Sequence, residues 1–326
     1  MKTVNIAILG LGTVGGGTYE ILRMNRELIE KRTGIDFRVT RALEKNTARM
    51  EQLGLDPSIA VSDPDIIFND PEIDIVVEAL GGIEPSSTFM EKALLAGKGV
   101  VSPNKAAVAA SYARLREAEA KGGGILRFEA CVGGGIPALT AIQEALAGNE
   151  FLEVMGIVNG TTNYILTKMT EEGLPYDEVL KDAQAKGFAE QDPTADVEGI
   201  DAANKLSILM TLCFDRYIHP EDIPREGITG VTMGDIEATR AKGCKIKLIA
   251  GAKKVRAADG SETLEYSVKP TLIPFSHPLA GVSNEFNAIY VTGNAVDELM
   301  FYGKGAGSLP TGSAMVGDII AIAKAL

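Results

Sequence analysis

Short, almost purely apolar runs alternate with longer amphipathic stretches through the first 130 residues. Val4–Leu9, Phe37–Leu43, Ile73–Leu80, Gly99–Pro103 and Ile125–Glu129 read as strands covered on both faces. Between them, Val14–Lys31, Ser86–Ala96 and Ala106–Lys121 read as helices. Strand and helix in alternation predict a parallel sheet. Beyond residue 130 the pattern changes. Ile136-Pro137, after three glycines, predicts a helix with proline in its first turn. Leu152–Val158 reads as a strand, and Thr162–Glu171, Tyr176–Lys186 and Ile200–Phe214 as helices. Lys245–Val255, Thr263–Ile273 and Asn287–Thr292 predict an antiparallel sheet, with Ala257-Ala258-Asp259-Gly260 as a hairpin turn. Thr311–Leu326 predicts an amphipathic tail helix.

The first strand runs into Gly10-Leu11-Gly12-Thr13-Val14-Gly15, and a helix follows near Thr13. In that context G-x-G-x-x-G predicts a dinucleotide loop, with Gly10 for the turn, Gly12 for close approach of a pyrophosphate and Gly15 for helix–strand packing. A tight strand-to-helix turn without a ligand is the bland alternative. At the end of the second strand, Arg41 and Lys45 suit a 2′-phosphate and Glu44 suits a 2′-hydroxyl, with a solvated loop that touches no cofactor as an equal alternative. The balance leans slightly to NADP over NAD. Gly81 and Lys105 follow later strands at the same ligand-facing sheet edge, although an isolated lysine there is more commonly a solvated residue of a helix N-cap loop.

The second half places charge where a helix should bury apolar groups. On a helix from Ile200, positions 201, 205, 208 and 212 share a stripe carrying Asp201, Lys205, Ile208 and Leu212. Asn204, Ser207 and Thr211 form a more polar stripe. An acid and an amine on the apolar stripe cost desolvation, so the pair is either structural or functional. Glu129, followed by the glycine-rich run to Ile136, offers a carboxylate and irregular carbonyls to a hard cation, or serves as a hinge. The turn at Gly160-Thr161-Thr162 suits a small polar ligand or simple helix capping. Cys131 reads as a small buried residue rather than a nucleophile, because no histidine lies near it in sequence.

The composition narrows the class. There are 326 residues, 45% of them hydrophobic, enough for two domains. A net charge of −12 argues against nucleic acid as a partner. No apolar window of about 20 residues suggests a membrane span, and Met1-Lys2-Thr3 runs into a strand rather than a leader. Three scattered cysteines fit a reducing cytoplasm. Two histidines, His219 and His277, make a histidine-based triad or metal cluster improbable and read as caps or loop packing.

Taken in order, Gly10–Gly15, Ser102–Lys105, Phe128–Pro137, Gly156–Leu166, Gly187–Pro193, Asp196–Lys205, Asn284–Val291 and Phe301–Thr311 closely resemble the homoserine dehydrogenase family over nearly the whole chain. The resemblance implies interconversion of L-homoserine and L-aspartate 4-semialdehyde with NAD(P), on the way to threonine, methionine and isoleucine. It implies a Rossmann-type doubly wound domain at 1–130 and an α+β catalytic and dimerisation domain at 131–295. A segment at 296–326 would return to the nucleotide domain. It implies Lys205 as catalytic lysine, Asp201 as its partner and Lys105 as a second active-site lysine. Glu190 and Asp196 would hold the substrate ammonium, and Gly160 and Thr161 would contact the substrate. Gly10, Gly12, Thr13, Val14, Gly15, Arg41, Gly81, Lys105 and Gly305 would face the cofactor. Glu129 with the carbonyls of Val132, Gly134 and Ile136 would hold sodium or potassium. A homodimer, or a tetramer of paired dimers, is expected. Many relatives carry a C-terminal ACT regulatory domain. With the chain stopping at Leu326, threonine feedback through such a domain is not expected unless the sequence is truncated. Aspartate-semialdehyde dehydrogenase, which needs a thiol nucleophile, and a cofactor sensor without chemistry are the competing readings.

Overall fold

The computed structural model describes residues 2–257 and 259–326. Met1 and Ala258, the latter in the expected 257–260 turn, lie outside the described residues. The chain begins β1 (Lys2–Leu9), α1 (Thr13–Met24), α2 (Arg26–Thr33), β2 (Ile35–Leu43), α3 (Thr47–Leu53), β3 (Ala60–Val61) and α4 (Asp65–Phe68). It continues β4 (Ile75–Glu78), α5 (Ser86–Leu95), β5 (Gly99–Val101), α6 (Lys105–Gly122) and β6 (Ile125–Arg127). Then come β7 (Phe151–Ile157), α7 (Gly160–Glu172), α8 (Tyr176–Ala185), α9 (Thr194–Val197), α10 (Ile200–Phe214) and α11 (Met233–Ala241). The last elements are β8 (Cys244–Arg256), β9 (Glu262–Pro274), β10 (Phe286–Gly293), β11 (Asp297–Lys304) and α12 (Ser308–Ala325). They form two compact units, Met1–Gly135 with Ala306–Leu326, and Ile136–Gly305.

The first unit holds a six-stranded parallel sheet in the order β3-β2-β1-β4-β5-β6. The order reverses between β1 and β4, where doubly wound sheets open a ligand crevice at their carboxyl ends. Val4, Ile6 and Ile8 of β1 are fully buried beside Val77, Val101 and the α12 residues Met315, Ile319 and Ile322. α12 reaches α1 at near-backbone contact. A Cβ on Gly17 would lie 2.4 Å from the Ser308 carbonyl oxygen, and one on Gly312 would lie 2.8 Å from Gly17. So the tail helix completes this unit. The expected boundary at 296 falls too early, because 297–304 is an edge strand of the other unit and the return begins at Ala306. Residues 131–135 likewise stay with the first unit.

The second unit carries a five-stranded antiparallel sheet, β11-β10-β7-β8-β9. The sequence shows β8, β9 and most of β10. It hides β11, whose Asp297-Glu298 start and Gly303 mask the alternation of a half-exposed edge strand. Other expectations shift. The run Val14–Lys31 is two helices, because Asn25 leaves helical geometry and Arg26 pairs with Asp36 at 2.9 Å. Ile73 lies before β4, its N–H bonded to Asp70 in a turn. The helix expected at Ile136-Pro137 begins two residues later, at Leu139, and runs on as a π-turn at Ala141–Ala145. α11 is opened by a Thr232/Asp235 capping box.

Candidate active site

The glycine-rich loop is shaped by missing side chains. Gly10 leaves β1 at φ +88°, a left-handed conformation that favours glycine, and its N–H donates to the Leu43 carbonyl. A Cβ on Gly15 would lie 2.0 Å from the Gly10 oxygen, whereas one on Gly12 would meet nothing within 4 Å. Gly12 is the N-cap of α1 and brings no capping side chain, and Thr13 and Val14 begin the first turn. Open space at the start of a helix fits a pyrophosphate. The Glu44 carboxylate braces the loop by accepting the Leu11 and Asn46 amides, each at 2.9 Å. Although partial burial opposes ionisation, these bonds hold Glu44 below the usual carboxylate range. Arg49, which sequence reasoning missed, donates to the Leu11 carbonyl at 3.0 Å, and its guanidinium lies beside Gly16. Arg41 instead pairs with Asp70 at 3.3 Å and donates to the Thr40 carbonyl. Gly81, at φ +84°, follows β4, and Lys105 starts α6 at half burial.

In the second unit, Lys205 and Asp201 face one another across one turn of α10, 2.6 Å apart and each 8% exposed. The same ammonium donates to the Val158 carbonyl at 2.6 Å. Asn159, also missed from sequence, is the N-cap of α7 and joins three elements. Its side-chain oxygen accepts the Thr162 amide, and its Nδ2 donates to Asp201 at 2.9 Å and to Asp196 at 2.7 Å. An asparagine before Gly-Thr-Thr was a readable N-cap, but nothing in sequence ties it to two carboxylates downstream. Burial pushes the Asp196 carboxyl above its usual range, and the Asp201 charge adds to this against the Asn159 bond and the Lys205 charge. Thr161 is buried and donates to the Phe188 carbonyl at 2.5 Å, which ties Gly160-Thr161 to the 187–192 loop. Glu190 sits on that loop with an exposed side chain, and its carbonyl accepts the Gln184 amide.

The structure therefore brings Lys205, Asp201, Asp196 and Thr161 together in one unit. Lys105 belongs to the other unit, and Gly305 ends the second against Asn287. The polar stripe expected on α10 is not wet. Ser207 and Thr211 are buried and bonded to the Ile218 and Ser207 carbonyls, so the helix is enclosed on both stripes.

Glu129, Val132 and Gly134 are buried in the first unit, and Ile136 opens the second. Left-handed Gly133 and Gly134 turn this backbone, and Asp318 of α12 accepts the Glu129 amide at 2.8 Å. A carboxylate and backbone carbonyls are donors of the hard-oxygen type that a monovalent cation takes. Cys131 is buried, donates to the Ser102 carbonyl and has its thiol pushed well up by burial, which leaves it no nucleophile. His219 and His277 each cap a 3-10 turn through Nδ1.

Comparison with known proteins adds the chemistry. The family model described as homoserine dehydrogenase matches residues 137–320, and that described as homoserine dehydrogenase, NAD binding domain, matches 10–129. The Bacillus subtilis homoserine dehydrogenase is 43% identical over 99% of this chain and 74% of its own length. The crystal structure of a homoserine dehydrogenase from Thiobacillus denitrificans superposes with a TM-score of 0.92 at 43% identity, over 99% of this chain and 73% of that one. A hyperthermophilic archaeal homoserine dehydrogenase in complex with NADPH aligns with a TM-score of 0.83 at 27% identity, over 99% and 98% of the two chains. With both units matched, this chain belongs to the homoserine dehydrogenase family, the NAD(P)-dependent oxidoreductases of homoserine.

Proposed function

We propose that the chain oxidises L-homoserine to L-aspartate 4-semialdehyde and reverses that reaction, with Lys205 as the proton-transfer group. The observation that carries the role of Lys205 is its buried ammonium, 2.6 Å from both the Asp201 carboxylate and the Val158 carbonyl. Two acceptors aim the Nζ atom, and burial makes a lysine sensitive to its surroundings. The nicotinamide, when bound, takes or returns the hydride. As a neutral amine, Lys205 receives the alcohol proton; as an ammonium, it returns that proton to the alkoxide. Asp201 orients Lys205, and Lys105 is the second active-site lysine. Asp196 and Glu190 take the substrate ammonium, while Gly160 and Thr161 contact the substrate.

NADP is favoured over NAD. The Glu44 carboxylate is already committed to two amides, while Arg49 and Lys45 add positive charge near the end of β2. Glu129, Val132, Gly134 and Ile136 would hold sodium or potassium. The chain forms a homodimer, alone or paired into a tetramer. A cytoplasmic role in threonine, methionine and isoleucine synthesis completes the reading. Among the described residues, no helix is long and apolar enough to cross a membrane. The test is nicotinamide reduction by purified protein with L-homoserine, using NAD and NADP separately, with and without potassium or sodium. Homoserine-dependent turnover is expected, faster with NADP and raised by the cation. Folded, cofactor-binding protein with no turnover under any condition overturns the proposal.

A further inference from the structure

Lys247, on β8, is 1% exposed, and the mechanism does not use it. Its ammonium donates to the Val282 carbonyl at 2.6 Å and to Asn163 Oδ1 at 3.0 Å. Asn163 is also 1% exposed and lies in the first turn of α7. Its amide donates to the carbonyls of Val282, Asn284 and Phe286 at 3.3, 2.9 and 3.1 Å. Thr167, one turn on, accepts the Asn284 amide at 3.1 Å and donates to the Asn163 carbonyl at 2.6 Å. Asn284 itself is left-handed, at φ +57°. These bonds fold residues 282–286 across the start of α7. The approach is close enough that a Cβ on Gly160 would lie 2.8 Å from the Glu285 carbonyl oxygen. The same turn of α7 carries Asn159, which bonds Asp196 and Asp201, and Thr161.

We infer that Lys247 and Asn163 are positioning residues for the substrate turn: together they clamp the 282–286 loop onto the first turn of α7 and so fix Asn159 and Thr161. The inference rests on the reading that this turn contacts homoserine. Burying an ammonium is costly and depresses its basicity, here to about 8, with Lys245 adding to the effect. A lysine that merely filled space between β8 and the 282–286 loop would be better replaced by an apolar residue. The geometry instead spends both of its bonds on the loop and on the asparagine that gathers it.

The test is Lys247→Met in the full chain, with Thr167→Val as a second variant that removes only hydroxyl bonds. Expected are faster amide hydrogen exchange in a peptide spanning 158–166 and a homoserine KM raised by about tenfold, the scale on which a misplaced binding group acts. The cofactor Kd, read from nicotinamide fluorescence, should stay within about twofold of the parent value. A purely structural lysine would lower the melting temperature without this split. Unchanged exchange in both folded variants overturns the inference, and so does raised exchange with an unchanged homoserine KM. Failure of the underlying reading has a different mark: Thr161→Ala would leave the homoserine KM unchanged whatever Lys247→Met does.

Discussion

The two units build sites of opposite kinds. In the first, the glycine loop works by subtraction: Gly10 makes the left-handed turn, Gly15 lets α1 pack against it, and Gly12 leaves open space at the helix start, where a ligand would meet backbone amides. In the second, the candidate site is gathered from side chains of separate elements, with Asn159 joining Asp196 and Asp201, and Asp201 joining Lys205. A backbone site is tolerant of chemistry and intolerant of volume. A side-chain site is the reverse, because buried charges must keep their partners.

The largest expected break in that contrast is chemical. Lys205→Ala should lower kcat by about 10²- to 10⁴-fold, the usual worth of a general acid or base, while cofactor affinity and circular dichroism stay at parent values. Near-normal kcat in the folded variant would remove Lys205 from its role. The matching steric break is Gly15→Ala. Its Cβ would fall 2.0 Å from the Gly10 oxygen, so either the loop or α1 must move. A loss of about 1–3 kcal/mol is the scale for such overpacking. Cofactor affinity should fall with it, read by calorimetric titration and by thermal melting.

A third prediction sharpens the comparison through pH. Burial raises the Asp196 carboxyl in the folded chain, so the ionised form costs stability. That cost is fully present above the raised folded value. It fades as pH falls through that value toward the unfolded one. Asp196→Asn should therefore melt no lower than the parent at neutral pH, and its relative advantage should shrink on acidification. Catalytically the expected sign is opposite: if Asp196 holds the homoserine ammonium, the parent should lose affinity for it as Asp196 protonates, and the variant should lack that acid limb in its KM profile. An unchanged limb would reassign ammonium binding to Glu190.

The smallest effect separates two arginines. Arg49→Ala should weaken NADP more than NAD, because its guanidinium lies beside the glycine loop. Arg41→Ala should shift either cofactor by about 0.5 kcal/mol at most, as for an exposed pair, because its charge is held by Asp70. Equal effects in a comparison of Kd values would return the cofactor preference to Arg41.

How well each site could be read follows from the same contrast. The alternation of strands and helices, the glycine spacing after β1 and the Asp201–Lys205 step on α10 are local patterns, and they were legible. Arg49 was not, because its partner Leu11 lies 38 positions away in sequence. Asn159 was legible as a cap but not as a bridge to Asp196 and Asp201, 37 and 42 positions away. β11 stayed hidden because an edge strand need not alternate strictly, and the dry face of Ser207 and Thr211 because their carbonyl partners conceal their polarity.

The sequence by itself determined the fold class, the dinucleotide loop and the spacing of the buried ion pair, since each depends on residues within a few turns of one another. Only the tertiary structure decided which carboxylates share Asn159, which arginine lies beside the loop, where the tail helix rejoins the first sheet and what Lys247 holds. Those contacts join positions distant in the chain, and a buried charge takes its meaning from the partners that packing supplies.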